Sequence, residues 1–158
     1  MPPIQILKTL DTEKIQRVRL RSPVLVSETD SIEQVVGAMK TRRRGCAIVL
    51  DRDKICGIFT ERDLLTRVLE PGLKLDSPIS NVMTPDPAYL TLDHSILEVI
   101  RLMSDHGYRH VPLVDGEGRI QGFVSVRDIL DFIAEHFPYD VYNLPPDPDQ
   151  IQRAPEGA

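Results

Sequence analysis

Apolar residues at Ile32, Val35, Val36 and Met39 stand at i, i+3, i+4 and i+7, the spacing of one helix face. The same stripe returns at Ile96, Val99, Ile100 and Met103. Ser31 with Gln34, and Ser95 with Glu98, place a capping box just ahead of each stripe. The pattern then changes to runs of strand type. Ala47 to Leu50 and Lys54 to Phe59 flank a turn at Asp51-Arg52-Asp53. Val111 to Val114 and Arg119 to Val124 flank Asp115-Gly116-Glu117-Gly118. A short extended segment is predicted before each first helix, at Val24-Leu25-Val26 and at Tyr89-Leu90. A second helix is predicted after each hairpin, with Leu64, Leu65, Val68 and Leu69, or Ile129, Leu130 and Ile133, directed inward.

These elements form a repeat. Ser31 to Met39 matches Ser95 to Met103 at an offset of 64, and Gly57 to Leu65 matches Gly122 to Leu130 at an offset of 65. Ser22-Pro23 matches Thr84-Pro85 at an offset of 62. The reading is an α/β (α+β) chain: a leader over 1–14, two β-α-β-β-α copies over 15–76 and 77–137, and a tail over 138–158. Each copy leaves an apolar helix face to cover, so the copies are expected to pack together. The tail has five prolines and four acids against Arg153, a composition that predicts extended, disordered chain. The leader is expected to turn helical from about Thr12.

Composition narrows the functional classes. The 158 residues are 41% hydrophobic and 27% charged, which suits a globular fold, and the net charge of −5 argues against general nucleic-acid binding. Two local arginine clusters stand out, Arg17, Arg19 and Arg21, and Arg42 to Arg44. No apolar run approaches the ~20 residues of a membrane span, and the N-terminus lacks a secretory pattern. Two cysteines do not make a disulfide scaffold. The setting expected is cytoplasmic. Cys46 and Cys56 have no second pair to complete a zinc site, Cys46 has no evident base, and neither a nucleophile elbow nor a Walker sequence occurs. No metal site and no enzyme activity are expected.

Chemistry concentrates where hairpin meets helix. Gly57-Ile58-Phe59-Thr60-Glu61-Arg62-Asp63 and Gly122-Phe123-Val124-Ser125-Val126-Arg127-Asp128 each place a hydroxyl at a helix N-terminus. Free backbone N–H groups and a positive dipole end favour phosphate there. Gly57 and Gly122 would admit a ligand close to the backbone. Asp63 and Asp128 could accept from a ribose diol, and Arg62 and Arg127 offer phosphate forks. The same Thr-x-x-Asp and Ser-x-x-Asp pairs would also serve as plain helix caps.

The doubled motif, together with Arg109-His110-Val111-Pro112-Leu113-Val114-Asp115, resembles the CBS domain family, and two copies in tandem resemble a CBS pair or Bateman module. The resemblance implies two repeats packed with pseudo-twofold symmetry and a regulatory, non-catalytic role. It implies no cofactor. The ligand would be AMP, ADP or ATP bound in clefts between the repeats, with S-adenosylmethionine a further member of the class. It also implies a homodimer and a regulated partner protein. By the same resemblance, Arg109 and His110 lie near the phosphates of the Asp128 site, bordered by Ser22, Pro23 and Arg44. Thr84, Pro85 and Tyr108 border the Asp63 site. Gly45 and Cys46 replace Arg109 and His110 in the first copy, so the Asp128 site is expected to bind phosphorylated ligands more tightly. The alternative is a ligand-free dimerisation and protein-interaction scaffold.

Overall fold

The structure, a computed structural model, describes residues 3–137; the tail expected over 138–158 lies outside the described residues. The chain runs α1 (Pro3–Thr12), β1 (Val24–Ser27), α2 (Ile32–Arg42), β2 (Cys46–Asp51) and β3 (Lys54–Thr60). The helix α3 (Glu61–Asp63) follows, continued by a π-helical stretch over Leu64–Leu69. Then come β4 (Thr84–Pro85), β5 (Leu90–Thr91), α4 (Ile96–His106), β6 (His110–Val114), β7 (Ile120–Ser125) and α5 (Val126–His136).

The predicted capping boxes form. Gln34 N–H donates to Ser31 Oγ, and Glu98 N–H to Ser95 Oγ, each at 3.2 Å, while the Gln34 and Glu98 side chains accept from the cap backbone. Both helices end on a left-handed residue, Arg43 (φ 53°) and Gly107 (φ 67°). In each copy the first strand runs parallel to the second, which pairs antiparallel with the third: β1-β2-β3 and β5-β6-β7.

The two copies are built through each other. β4 opens the second copy but pairs with β3 of the first, Thr84 opposite Ile58 and Pro85 opposite Gly57. In the mirror-image position, Arg21 pairs with Phe123 of β7 through both backbone hydrogen bonds, 3.1 and 3.2 Å. The exchange begins further upstream. Ile15 N–H donates to the His94 carbonyl and Ile96 N–H to the Glu13 carbonyl, while Ile79 N–H donates to Asp30 and Ile32 N–H to Ser77. Each entry segment thereby satisfies a first-turn N–H of the opposite copy's helix. The cores follow suit. Leu10, Ile15 and Val18 pack with Ile96, Val99, Met103, Val111, Leu113, Val124 and Phe132 of the second copy. Ile79 and Val82 pack with Val24, Ile32, Val35, Met39, Val49, Phe59 and Val68 of the first.

Several expectations need correction. The leader is helical from Pro3 and ends at Thr12, where helix was expected to begin. Tyr89 is exposed, and the strand it was to open is Leu90–Thr91. Leu65, Leu69 and Leu130, expected inward, are 60%, 55% and 59% exposed. The inward faces are carried by Val68, Ile129 and Phe132. The π-helical stretch explains part of this: a wider turn brings Val68, five residues after Asp63, to the core, where Phe132 lies four residues after Asp128. Register also differs by one at the entry segments. Ile58 and Phe123 are equivalent and pair with Thr84 and Arg21, so Arg21, not Ser22, is the structural counterpart of Thr84.

Candidate functional site

β3 passes directly into α3 and β7 into α5, which leaves Thr60 and Ser125 extended at the helix caps. Ser125 Oγ accepts the Asp128 N–H at 3.3 Å, and Asp128 Oδ2 accepts from the Ser125 N–H at 2.8 Å and from Oγ–H at 2.6 Å. Thr60 and Asp63 repeat the arrangement at 3.3, 2.9 and 2.9 Å. Cap formation therefore occupies Oδ2 of each carboxylate and leaves Oδ1 for another partner.

The two copies use Oδ1 differently. Asp128 Oδ1 accepts from Arg21 Nε at 2.7 Å across the copy boundary, with the aspartate side chain 2% exposed. Asp63 Oδ1 lies 3.5 Å from Arg67 Nε of its own helix, and Arg67 Nη1 donates to the Val82 and Met83 carbonyls at 3.3 and 3.0 Å. Burial pulls the Asp128 carboxyl upward, but bonds from Ser125 and Arg21 outweigh it and hold the group below its ordinary value.

The cluster around Asp128 draws on both copies. The Arg109 carbonyl accepts the Val126 N–H at 3.0 Å, so the exposed Arg109 and the half-buried His110 enter beside the helix cap. The His110 ring lies 5.8 Å from that of Phe123. Burial lowers the His110 pKa against the opposing pull of Glu61 and Asp128, which favours the neutral ring at pH 7. Arg44 Nε donates to the Ser22 carbonyl at 3.3 Å, and Arg42 Nη1 reaches the Pro23 carbonyl at 3.4 Å. Ser22, Pro23 and Arg44 thus stand together, one residue beyond Arg21. Arg62 and Arg127 are exposed as the second residues of their helices.

Around Asp63, Thr84 and Pro85 arrive as β4. Tyr108 stacks on His106, ring centroids 5.2 Å apart, and no hydrogen bond among the described residues joins it to the Asp63 cap. Gly45 faces the Glu61 carboxylate, which an added Cβ would meet at 3.5 Å, an ordinary contact, so space does not require glycine there. An acid and a glycine thus stand where the second copy has Val126 and Arg109. The Glu61 charge is felt by Cys46 of its own copy and, across the copy boundary, by His110. Burial pushes the Cys46 thiol up to about 12, so it carries no thiolate at neutral pH.

The glycine repeated at Gly57 and Gly122 also acquires a second explanation. A Cβ on Gly57 would sit 2.3 Å from Met83 Sδ, and one on Gly122 would sit 3.3 Å from the Arg21 carbonyl. Both glycines make room for the incoming segment of the opposite copy, which is a packing role. Arg21, Arg67 and Glu61 were not singled out from the sequence as site residues. Arg67 had a signal, its i+4 position from Asp63. Arg21 had one only through the resemblance, which set the adjacent Ser22 at the Asp128 site; local spacing alone does not bring it there.

A chain of two such copies, exchanging strands around paired caps, defines a class. The CBS-domain family model matches residues 15–70 and 79–135, and the chain belongs to that family. An uncharacterized 17.7 kDa protein of Acidianus ambivalens is 28% identical over 117 residues, 73% of this chain and 70% of the relative. Longer relatives also match, and the chain spans only 19% to 60% of the next ones. A CBS domain protein from Pyrobaculum aerophilum, solved complexed with AMP, superposes with a TM-score of 0.69 at 26% identity, covering 77% of this chain and 98% of that one. The cytosolic domain of the Mg2+ channel MgtE, solved with ATP, gives 0.65 at 25% identity, covering 82% and 52%.

The depressed Asp128 carboxyl predicts a pH dependence. A lowered folded-state pKa adds stability that is present above the unfolded value of about 3.9 and is lost as pH falls through the folded value. Urea unfolding from pH 7 to pH 2 should show wild type losing stability below about pH 4. Asp128→Asn should be less stable at pH 7, because Arg21 loses its charged partner, and should decline less steeply in acid. Parallel profiles would contradict the ion pair.

Proposed function

We propose that this protein is a regulatory CBS pair that binds adenosine nucleotides, AMP, ADP or ATP, in the clefts between its copies. The observation that carries the proposal is the buried Ser125–Asp128 pair at the N-terminus of α5, ringed by Arg21, Arg109 and His110 from both copies. A helix N-terminus flanked by arginines suits phosphate, and a carboxylate suits a ribose diol. The AMP and ATP complexes of the two structural relatives support the same ligand class. In this proposal Ser125, Asp128, Arg127, Arg109 and His110, with Ser22, Pro23 and Arg44, serve the stronger site. Thr60, Asp63, Arg62, Thr84, Pro85 and Tyr108 serve the weaker one, where Glu61 opposes an anion. Because each cleft takes residues from both copies, a ligand preferring one packing of the copies shifts the population toward it. A partner protein in the cytoplasm reads the change. Among the described residues no helix is long and apolar enough to cross a membrane.

Titration calorimetry with AMP and ATP tests the ligand class. Asp128→Ala should weaken the tighter binding event by about tenfold or more, the scale of one lost charge-assisted hydrogen bond. Asp63→Ala should spare that event. If the aspartates act only as helix caps, both variants lose stability and keep wild-type affinity, and the proposal fails.

The same proposal includes a homodimer. Leu65 after α3 and Leu130 on α5, at equivalent positions of the two copies, are more than half exposed, as is Leu69 four residues beyond Leu65, an apolar surface that a second chain would cover. Leu65→Asp combined with Leu130→Asp should leave the fold intact and convert a species of twice the chain mass into monomer by sedimentation. Wild-type protein that sediments as monomer at tens of micromolar, with and without nucleotide, would refute the dimer.

A further inference from the structure

Arg21 holds an unusual position. Its backbone is fixed to Phe123 by two hydrogen bonds, so its Cα has no freedom to leave the cleft. Its side chain is 34% exposed and ends on a carboxylate that is 2% exposed. That carboxylate has about four acceptor positions in all. Three are taken, two by Ser125 and one by Arg21, and burial closes off the fourth. A ribose diol can therefore reach Asp128 only by displacing the Arg21 Nε–H.

Displacement leaves a guanidinium beside a cleft without its counter-charge. An uncharged adenosyl ligand offers nothing in return. A phosphorylated one offers a phosphate, which accepts the planar guanidinium in two parallel hydrogen bonds. Arg109 is close enough to act on His110 together with Arg21, so the phosphate would meet a group of cations. The other cleft lacks this exchange. Its counterpart position is Thr84, and the arginine beside Asp63 is held by two carbonyls, Val82 and Met83.

Resting on the nucleotide-binding reading, we infer that Arg21 is a specificity-determining residue of the Asp128 cleft, releasing Asp128 to the ribose and passing to the phosphate, so that phosphorylated adenosyl ligands are selected over uncharged ones. The side chain that closes the ribose position is thus the one that rewards a phosphate.

The test titrates AMP, adenosine and 5'-methylthioadenosine against the full chain carrying Asp63→Ala, which isolates the Asp128 cleft. It is repeated after adding Arg21→Ala or Arg21→Gln. With Arg21 present, AMP should bind at least about tenfold more tightly than either uncharged probe. Arg21→Ala should weaken AMP by a similar factor while leaving the uncharged probes unchanged or tighter, so the preference collapses. Arg21→Gln, which keeps a neutral donor for Asp128 Oδ1, should lose less thermal stability than Arg21→Ala and still lose the preference. If both arginine variants shift all three affinities by one common factor, or leave AMP unchanged, Arg21 is a structural brace and the inference is overturned while nucleotide binding stands. If none of the probes binds any of these proteins at millimolar concentration, the nucleotide reading itself fails and the inference falls with it.

Discussion

Everything else in this structure depends on the reciprocal exchange of entry segments. Ile15 and Val18 open the first copy and are buried in the core of the second; Ile79 and Val82 open the second and are buried in the core of the first. All four are at most 3% exposed. Truncating a buried Ile or Leu to Ala costs about 2–5 kcal/mol, a large part of the 5–15 kcal/mol by which a domain is stable, so neither copy holds its core alone. Four backbone hydrogen bonds, from Ile15, Ile96, Ile79 and Ile32, fix the same exchange at the helix starts.

The clefts are a consequence. Once an entry segment has crossed, its next residues must run along the third strand of the opposite copy, and glycine stands there because Met83 or the Arg21 backbone needs the space. The segment then delivers side chains to a helix cap that belongs to the other copy. Arg21 reaches Asp128 in this way, with Ser22 and Pro23 following under Arg44 and Arg42. A ligand bound at the cap would touch both copies, which is what a regulatory module needs. The π-helical stretch after Asp63 and the glycine at position 45 make the two caps unequal, since one keeps Arg67 near its carboxylate and Glu61 nearby, and the other gathers cations.

Much of this was legible in the chain. The repeat, the capping boxes, both hairpins and the hydroxyl–aspartate pairs follow from local spacing, because caps and hairpins are made by residues a few positions apart. The exchange was not legible from local spacing, because it joins residues from 26 to 107 positions apart whose local pattern reads as leader or linker; only the family resemblance set Ser22 and Pro23 beside Asp128, and Thr84 and Pro85 beside Asp63. Helix phase was misread where local geometry departs from 3.6 residues per turn: Leu65, Val68 and Leu69 were all assigned inward, and with the wider turn after Asp63 only Val68 of the three is buried. Leu130 was misread for another reason. Its apolar character reads as core, while Ile129 and Phe132 take the inward face of α5.

Native-state hydrogen exchange on Ile15→Ala tests the exchange of segments most directly. The account predicts that amides of β6 and β7, more than 90 residues along the chain, lose more protection than those of β2 and β3. Loss concentrated in β2 and β3, with β6 and β7 unchanged, would contradict it.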